Sequence, residues 1–101
     1  MVIVEIRNST TNYALYADLV RGGDLVVVGR DLSELVGGDE YEYFYTIRVA
    51  AIPQLCERLG VEREALLDGL RRLLMPHGVT ASAAWRAWLV GNAIPYEFSV
   101  R

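Results

Sequence analysis

Hydrophobic and polar residues alternate along the first part of the chain with the two-residue period of half-buried β-strands. Residues 2–7 and 13–20 show this alternation, and residues 25–29 form a short β-branched run typical of a central strand. The first segment divides its side chains between two predicted faces: Val2, Val4 and Ile6 against Ile3, Glu5 and Arg7. Between the second and third segments, Gly22 and Gly23 supply the positive φ angles of a tight turn, so the pattern predicts an antiparallel meander.

The clearest strand of the sequence runs over residues 41–49. Three tyrosines, an isoleucine and a valine occupy its odd positions, and polar residues with one phenylalanine occupy its even positions. The segment before it, residues 31–36, predicts a short helix or turn that Asp31 could cap. Residues 94–100 alternate again and predict a last strand.

Three helical segments lie between these strands. The first runs from Pro53, which suits a first helical position, to the stop signal Gly60. The second covers about residues 62–75, where five leucines fall within an arc of roughly 120°. The third begins with a capping residue at Thr80 or Ser82 and places two tryptophans on one face.

Strands grouped early and helices grouped late predict an α+β fold. We expect a single domain over residues 1–101, built on an antiparallel sheet of four to five strands that begins as a β-meander. The three helices would pack on one face of that sheet, because their leucine and tryptophan stripes must bury against an apolar surface.

The basic residues narrow the available chemistry, because all ten are arginine and none is lysine. A single histidine, His77, and a single cysteine, Cys56, leave no obvious metal site and no evident pair of nucleophile and base. We therefore expect no catalytic residue, no cofactor and no metal. Cys56 lies on the apolar face of its helix and is predicted to be a buried, unreactive thiol, whereas His77 falls in a loop or at a helix C-terminus.

Two further patterns contain residue types that occur in metal, general-acid or phosphate sites. The acidic stretch at residues 39–42 could form a metal or general-acid cluster, but it has no histidine and no calcium-loop pattern, which favours a solvated strand entry. The pairs Gly22-Gly23 and Gly37-Gly38 lack the spacing and the following lysine of a phosphate-binding loop. Both pairs are therefore predicted to be turns.

The net charge of the chain is mildly acidic, at −3. This balance disfavours nonspecific attraction to nucleic acid or to an anionic membrane. The pair Arg71-Arg72 lies where a helix C-terminus favours positive charge without any ligand. The apolar runs are shorter than a membrane span and the N-terminal residues lack the basic flank of a signal peptide. We expect a cytoplasmic location, and neither nucleic acid nor membrane as a partner.

The two faces of the tyrosine-bearing strand have different predicted roles. Its odd-numbered residues either face the helices or form an exposed aromatic stripe, and burial is the preferred interpretation for Tyr45, Ile47 and Val49. The opposite face collects mixed charges with two aromatic side chains, which suits either a solvated sheet or a recognition surface. The candidate partner-binding residues on that face are Tyr16, Glu42, Phe44, Arg48 and Glu97.

Short motifs in the chain resemble a pattern in small uncharacterised actinobacterial proteins. The motifs are Gly23-Asp24-Leu25-Val26-Val27, Gly29-Arg30-Asp31-Leu32, Tyr41-Glu42-Tyr43 and Ile94-Pro95-Tyr96-Glu97-Phe98. The resemblance spans about residues 23–100 and agrees with the arginine bias and a cytoplasmic location. It implies no activity, ligand or functional residue.

These features favour a non-catalytic protein-binding module, of the kind found among inhibitors, immunity proteins and antitoxins, that acts through its sheet face. The hydrophobic fraction of 52% predicts apolar surface left over after folding, which suits a protein partner or a homodimer. Glu42 and Glu97 favour a basic partner. An alternative is a small-ligand or sensor domain with an aromatic pocket between sheet and helices, lined by Trp85, Trp88 and the tyrosines. A small enzyme that pairs His77 with an acid is a third hypothesis.

Overall fold

A computed structural model describes residues 1–31 and 41–100. The elements follow one another in the order β1 (Val2–Arg7), β2 (Asn12–Leu19), β3 (Leu25–Asp31), β4 (Tyr41–Ile47), α1 (Ile52–Leu59), α2 (Leu66–Leu74), α3 (Ala81–Gly91) and β5 (Glu97–Val100). The predicted α+β class and antiparallel sheet are confirmed. The short helix or turn predicted for residues 31–36 lies outside the described residues, except for Asp31, which ends β3.

The five described strands form one antiparallel sheet in the order of the sequence. The turn between β2 and β3 has Gly22 and Gly23 at a φ of 93°, as the glycine pair predicted. β5 returns after the helices and pairs with β4, so that Phe98 lies opposite Tyr45. Because side chains directly opposite one another point to the same side of a sheet, this register defines an inner and an outer face.

The inner face carries the core. Tyr45 and Ile47 are buried there, as predicted, together with Leu15 and Val27 of the neighbouring strands. The helices contribute the other half of the core through Leu55, Leu66, Leu70, Leu74, Trp85 and Leu89. The leucine and tryptophan side chains of the helices thus share one core with the apolar face of the sheet.

The predicted side-chain faces were wrong in two places, in β1 and just after the end of β4. A β-bulge in β1 adds one residue between the pairs Val2–Tyr16 and Val4–Leu15. The bulge turns Ile3 into the core, with 2% of its surface exposed, and leaves Val2 outside at 45%. β4 ends at Ile47, and a 3₁₀ turn over Val49–Ala51 leads into α1, so that Val49 is exposed rather than buried.

The second helix shows the largest difference from its predicted bounds. α1 ends at Gly60 in the left-handed conformation, as predicted. A 3₁₀ turn over Arg63–Ala65 precedes α2, which is therefore shorter than the predicted segment at residues 62–75. In α3, Trp85 is fully buried, whereas Trp88 is half-buried and stacks on it. Within the described residues, no helix is both long and apolar enough to cross a membrane.

Candidate functional site

The outer face of the sheet is organised into three rows by the strand register. The middle row runs across all five strands through Val2, Tyr16, Val28, Phe44 and Ser99. One flanking row contains Glu5, Ala14, Arg30 and Glu42. The other contains Asp18, Val26, Thr46 and Glu97. The described helices bury their apolar side chains under the inner face. In the outer rows Ala14 and Glu42 are nevertheless buried.

The middle row holds a continuous apolar strip, made of Tyr16, Val28 and Phe44. Tyr16 lies opposite Val28, and Val28 lies opposite Phe44. Directly opposed side chains in an antiparallel sheet have their Cβ atoms about 5 Å apart, so Val28 neighbours both Tyr16 and Phe44. All three keep part of their surface exposed. An aromatic residue therefore stands at each end of the strip, with a β-branched residue between them.

Glu42 lies in a flanking row and is already paired. Its Oε2 is 3.1 Å from Nη2 of Arg30, its cross-strand neighbour. Only 8% of the surface of Glu42 is exposed, which is unusual for a carboxylate on a sheet face. Glu42 therefore offers a partner less charge than its position in the sequence indicated.

Arg48 lies just beyond the end of β4, at the centre of a small ionic cluster. Its guanidinium donates two N–H groups to the carboxylate of Glu97 and a third to Asp24, with Nη1 3.0 Å from Oδ2 of Asp24. The backbone N–H of Val49 also donates to Asp24, at 2.7 Å. The cluster links the β2–β3 turn, the end of β4 and the edge strand β5.

The cluster shifts the acid equilibria of its carboxylates. The bonds from Arg48 hold the pKa of Glu97 below its ordinary value. The pKa of Asp24 is also lowered, first by the backbone N–H of Val49 and then by Arg48. Both carboxylates are therefore ionised at neutral pH, and Arg48 is occupied by them.

The candidate residues from the sequence thus occupy three places on one face. Tyr16 and Phe44 belong to the central strip, Glu42 pairs with Arg30 on one side, and Arg48 pairs with Glu97 beyond the other side. Val28 was not among the candidates, although it joins the two aromatic residues. The signal that could have found it is the register that the glycine turn sets between β2 and β3, which brings an even-numbered residue of β3 opposite Tyr16.

A second concave feature lies on the other side of the sheet, between the flank of α3 and the part of the inner face near β5. This groove has a volume of about 790 Å³. Its floor includes Tyr43 and Tyr45, as the alternative hypothesis of an aromatic pocket expected. The tryptophans are placed differently, because Trp85 is turned into the core and the groove is lined by the opposite flank of α3, with Arg86 and Val90.

The described residues contain no group of three or more His, Cys, Asp or Glu side chains that could hold a metal ion. His77 is exposed, and its backbone carbonyl accepts a hydrogen bond from the hydroxyl of Thr80. Cys56 is buried, as predicted, and this burial raises the pKa of its thiol. Comparison of the chain with protein-family models, curated proteins and solved structures returns no match.

Proposed function

We propose that this chain is a non-catalytic protein-binding module that docks a partner protein on its outer face. The observation that carries the proposal is the strip of Tyr16, Val28 and Phe44, which lies across the middle of the sheet with charged rows on both sides. An apolar centre with a polar rim is the usual anatomy of a protein interface. Tyrosine and other large aromatic side chains at such a centre supply most of the binding energy in known complexes.

The charges around the strip favour a basic partner. Arg30 and Arg48 are already neutralised by carboxylates of this chain. Among the described residues, the acids of the outer face and its border are Glu5, Asp18, Asp24, Glu42 and Glu97, and the positive groups are Arg7, Arg30, Arg48 and the ammonium of Met1, which pairs with Asp18. These acids exceed these positive groups by one, so a complementary partner would bring positive charge to the rim and associate faster at low salt.

A role of this kind fits an inhibitor, an immunity protein or an antitoxin acting in the cytoplasm. Proteins of those classes act by covering a surface of another protein and need no catalytic group of their own. The analogy rests on the site alone, since one fold can host many functions.

The test compares matched baits in affinity capture and then measures the dissociation constant of the captured protein. Phe44→Ala and Tyr16→Ala each remove one end of the strip, and Glu64→Ala and Arg72→Ala are controls on the surface of the helical layer. We expect each strip variant to weaken binding by about 2 kcal/mol, which is roughly a thirtyfold increase in the dissociation constant. The control variants should bind as the original chain does.

Two results would refute the proposal. One is a partner whose affinity is unchanged by Phe44→Ala and Tyr16→Ala combined. The other is self-association of the pure chain that Phe44→Ala abolishes, because the outer face would then bind a second copy rather than a different protein. Sedimentation velocity of the pure chain over a range of concentrations distinguishes this second case.

A further inference from the structure

The groove beside α3 has the size and wall chemistry of a small-molecule site. Its volume of about 790 Å³ falls within the range typical of ligand pockets. Val79 and Val90 form apolar walls, with 51% and 64% of their surfaces exposed, and Phe98 of β5 closes the other side. Exposed large apolar side chains collected around one concavity indicate a surface that is meant to be covered.

The floor of the groove depends on an unusual packing of Tyr43. Its ring lies directly over Gly29, so closely that a Cβ atom at Gly29 would be 2.1 Å from the ring. The ring is also in edge contact with Tyr45, and Tyr45 packs against Phe98 with 4.9 Å between the centroids. These contacts make an aromatic floor over β4 and β5 whose rings are inclined to one another, by 88° between Tyr43 and Tyr45 and by 50° between Tyr45 and Phe98.

Arg86 provides the one positive charge on the groove lining in the described part of the chain. Its guanidinium carbon lies 4.5 Å from the ring centroid of Phe98 and 5.6 Å from that of Tyr45. No carboxylate of the described residues lies within ion-pair distance of it, in contrast to Arg30 and Arg48, which are both paired. A guanidinium stacked on an aromatic ring keeps the N–H groups of its edge free for a bidentate anion.

The opposite end of the groove is lined by hydroxyl and carboxyl groups instead of a guanidinium. The backbone N–H of Ser82 donates to the hydroxyl of Tyr13 at 3.0 Å, and the side chain of Tyr43 lies next to that hydroxyl. Burial raises the pKa of both tyrosines, so both hydroxyls are neutral at physiological pH. Asp31 also lies at this end, opposite Tyr13 in the register.

The two ends are far enough apart to distinguish between parts of one ligand. Asp31 and Phe98 are separated by two strand spacings and by four residues along the strand direction. At 4.8 Å per strand and 3.3 Å per residue, their backbones are roughly 16 Å apart. An anionic group would therefore be held at the Arg86 end without close repulsion from Asp31.

We propose that this groove binds a small organic carboxylate with an apolar body, whose carboxylate pairs with Arg86 and whose body lies on the aromatic floor between Val79 and Val90. The proposal does not rest on the protein-binding role of the outer face. A carboxylate is the favoured anion because its two oxygens match the guanidinium edge, and a single charge suits a site with a single cation.

The experiment compares two probes with the same apolar body and head groups of similar size, the anion 3-phenylpropionate and its neutral amide 3-phenylpropionamide. Their binding to the full chain is measured by titration while backbone amide chemical shifts are recorded by NMR. We expect the carboxylate to bind at least tenfold more tightly than the amide and to shift the amide resonances of α3. Arg86→Gln should remove this preference, and Arg86→Lys should restore part of it. Arg58→Gln, at an exposed arginine of α1, is the matched control and should change nothing.

Three results would overturn the proposal. The first is equal affinity of the original chain for the carboxylate and the amide. This result is obtained without any substituted variant. The second is a carboxylate preference that survives Arg86→Gln in a variant whose amide spectrum shows that it is folded. The third is the absence of binding at millimolar concentrations of the carboxylate. This includes the case in which the chain self-associates through the groove, which would be shown by separation of the copies in the Val90→Asp variant.

Discussion

Replacement of Gly29 by alanine tests the aromatic floor directly. An ordinary contact between carbon atoms begins at 3.4 Å, and the new Cβ would stand 2.1 Å from Cε2 and Cζ of Tyr43. The ring would therefore have to withdraw by about 1.3 Å. It cannot do so freely, because it is packed against Tyr45 and lies next to the hydroxyl of Tyr13.

The expected cost follows from these two constraints. Overpacking of a dense interior destabilises by about 1–3 kcal/mol. Gly29→Ala should therefore lower the free energy of unfolding by about 1–3 kcal/mol, which corresponds to a fall of roughly 5–15 °C in the melting temperature of a domain of this size. Denaturant titration followed by tryptophan fluorescence measures the effect.

Two comparisons separate this explanation from a general intolerance of alanine: the same substitution at another glycine, and Gly29→Ala in a chain that lacks the Tyr43 ring. Gly91 is at the end of α3 and has open space where a Cβ would lie, so Gly91→Ala should stabilise the chain by about 0.4–1 kcal/mol. In a Tyr43→Val background, which removes the ring, Gly29→Ala should also become neutral or stabilising. If Gly29→Ala is neutral in the original chain, the ring of Tyr43 does not lie over Gly29 and the proposed floor of the groove is wrong.

The remaining predictions concern the core and the ionic cluster. Trp85→Ala should lower the free energy of unfolding by about 3–5 kcal/mol, because Trp85 is fully buried. Trp88→Ala should lower it clearly less, because Trp88 is half-buried. Equal losses for the two variants in denaturant titration would contradict this packing. Arg48→Ala should destabilise the chain at pH 7, and the difference from the original chain should disappear as the pH falls through the lowered pKa of Glu97 and of its neighbour Asp24. The sign follows because a carboxylate with a lowered pKa in the folded state stabilises only while it is ionised, and a pH-independent difference would refute it.

The sequence was sufficient for those features that depend on local pattern. The alternation of residues 13–20 and 41–47 located two strands and their inner faces, and the Gly22-Gly23 pair located the turn between β2 and β3. The bulge at Ile3 was not predictable, because an extra residue in one strand depends on how the partner strand packs and leaves the alternation unchanged. The pairing of β5 was equally open, since only tertiary packing decides where a strand after three helical segments inserts.

The predicted binding residues show the same division between local pattern and register. The sequence placed Tyr16, Glu42 and Glu97 on the same face as Phe44 by the alternation within each strand, but it did not assign Val28 to that face. It did not identify Arg30 as the partner of Glu42, or Asp24 as a partner of Arg48, because those pairs join residues on different strands. The groove charge Arg86 was missed for a related reason. Its role comes from its position over Phe98, a residue of the last strand, and nothing in the spacing of the helix indicates that contact.

Strand β4 contributes to both proposed sites, and its alternation keeps them separate. Phe44 points to the outer face, whereas Tyr43 and Tyr45 point to the inner face and form the floor of the groove. Neighbouring residues of a strand project to opposite sides, so the two sites share a backbone but no side chain. The loss of a partner protein on Phe44→Ala and the loss of a carboxylate preference on Arg86→Gln are therefore independent observations, and the failure of either proposal would leave the other standing.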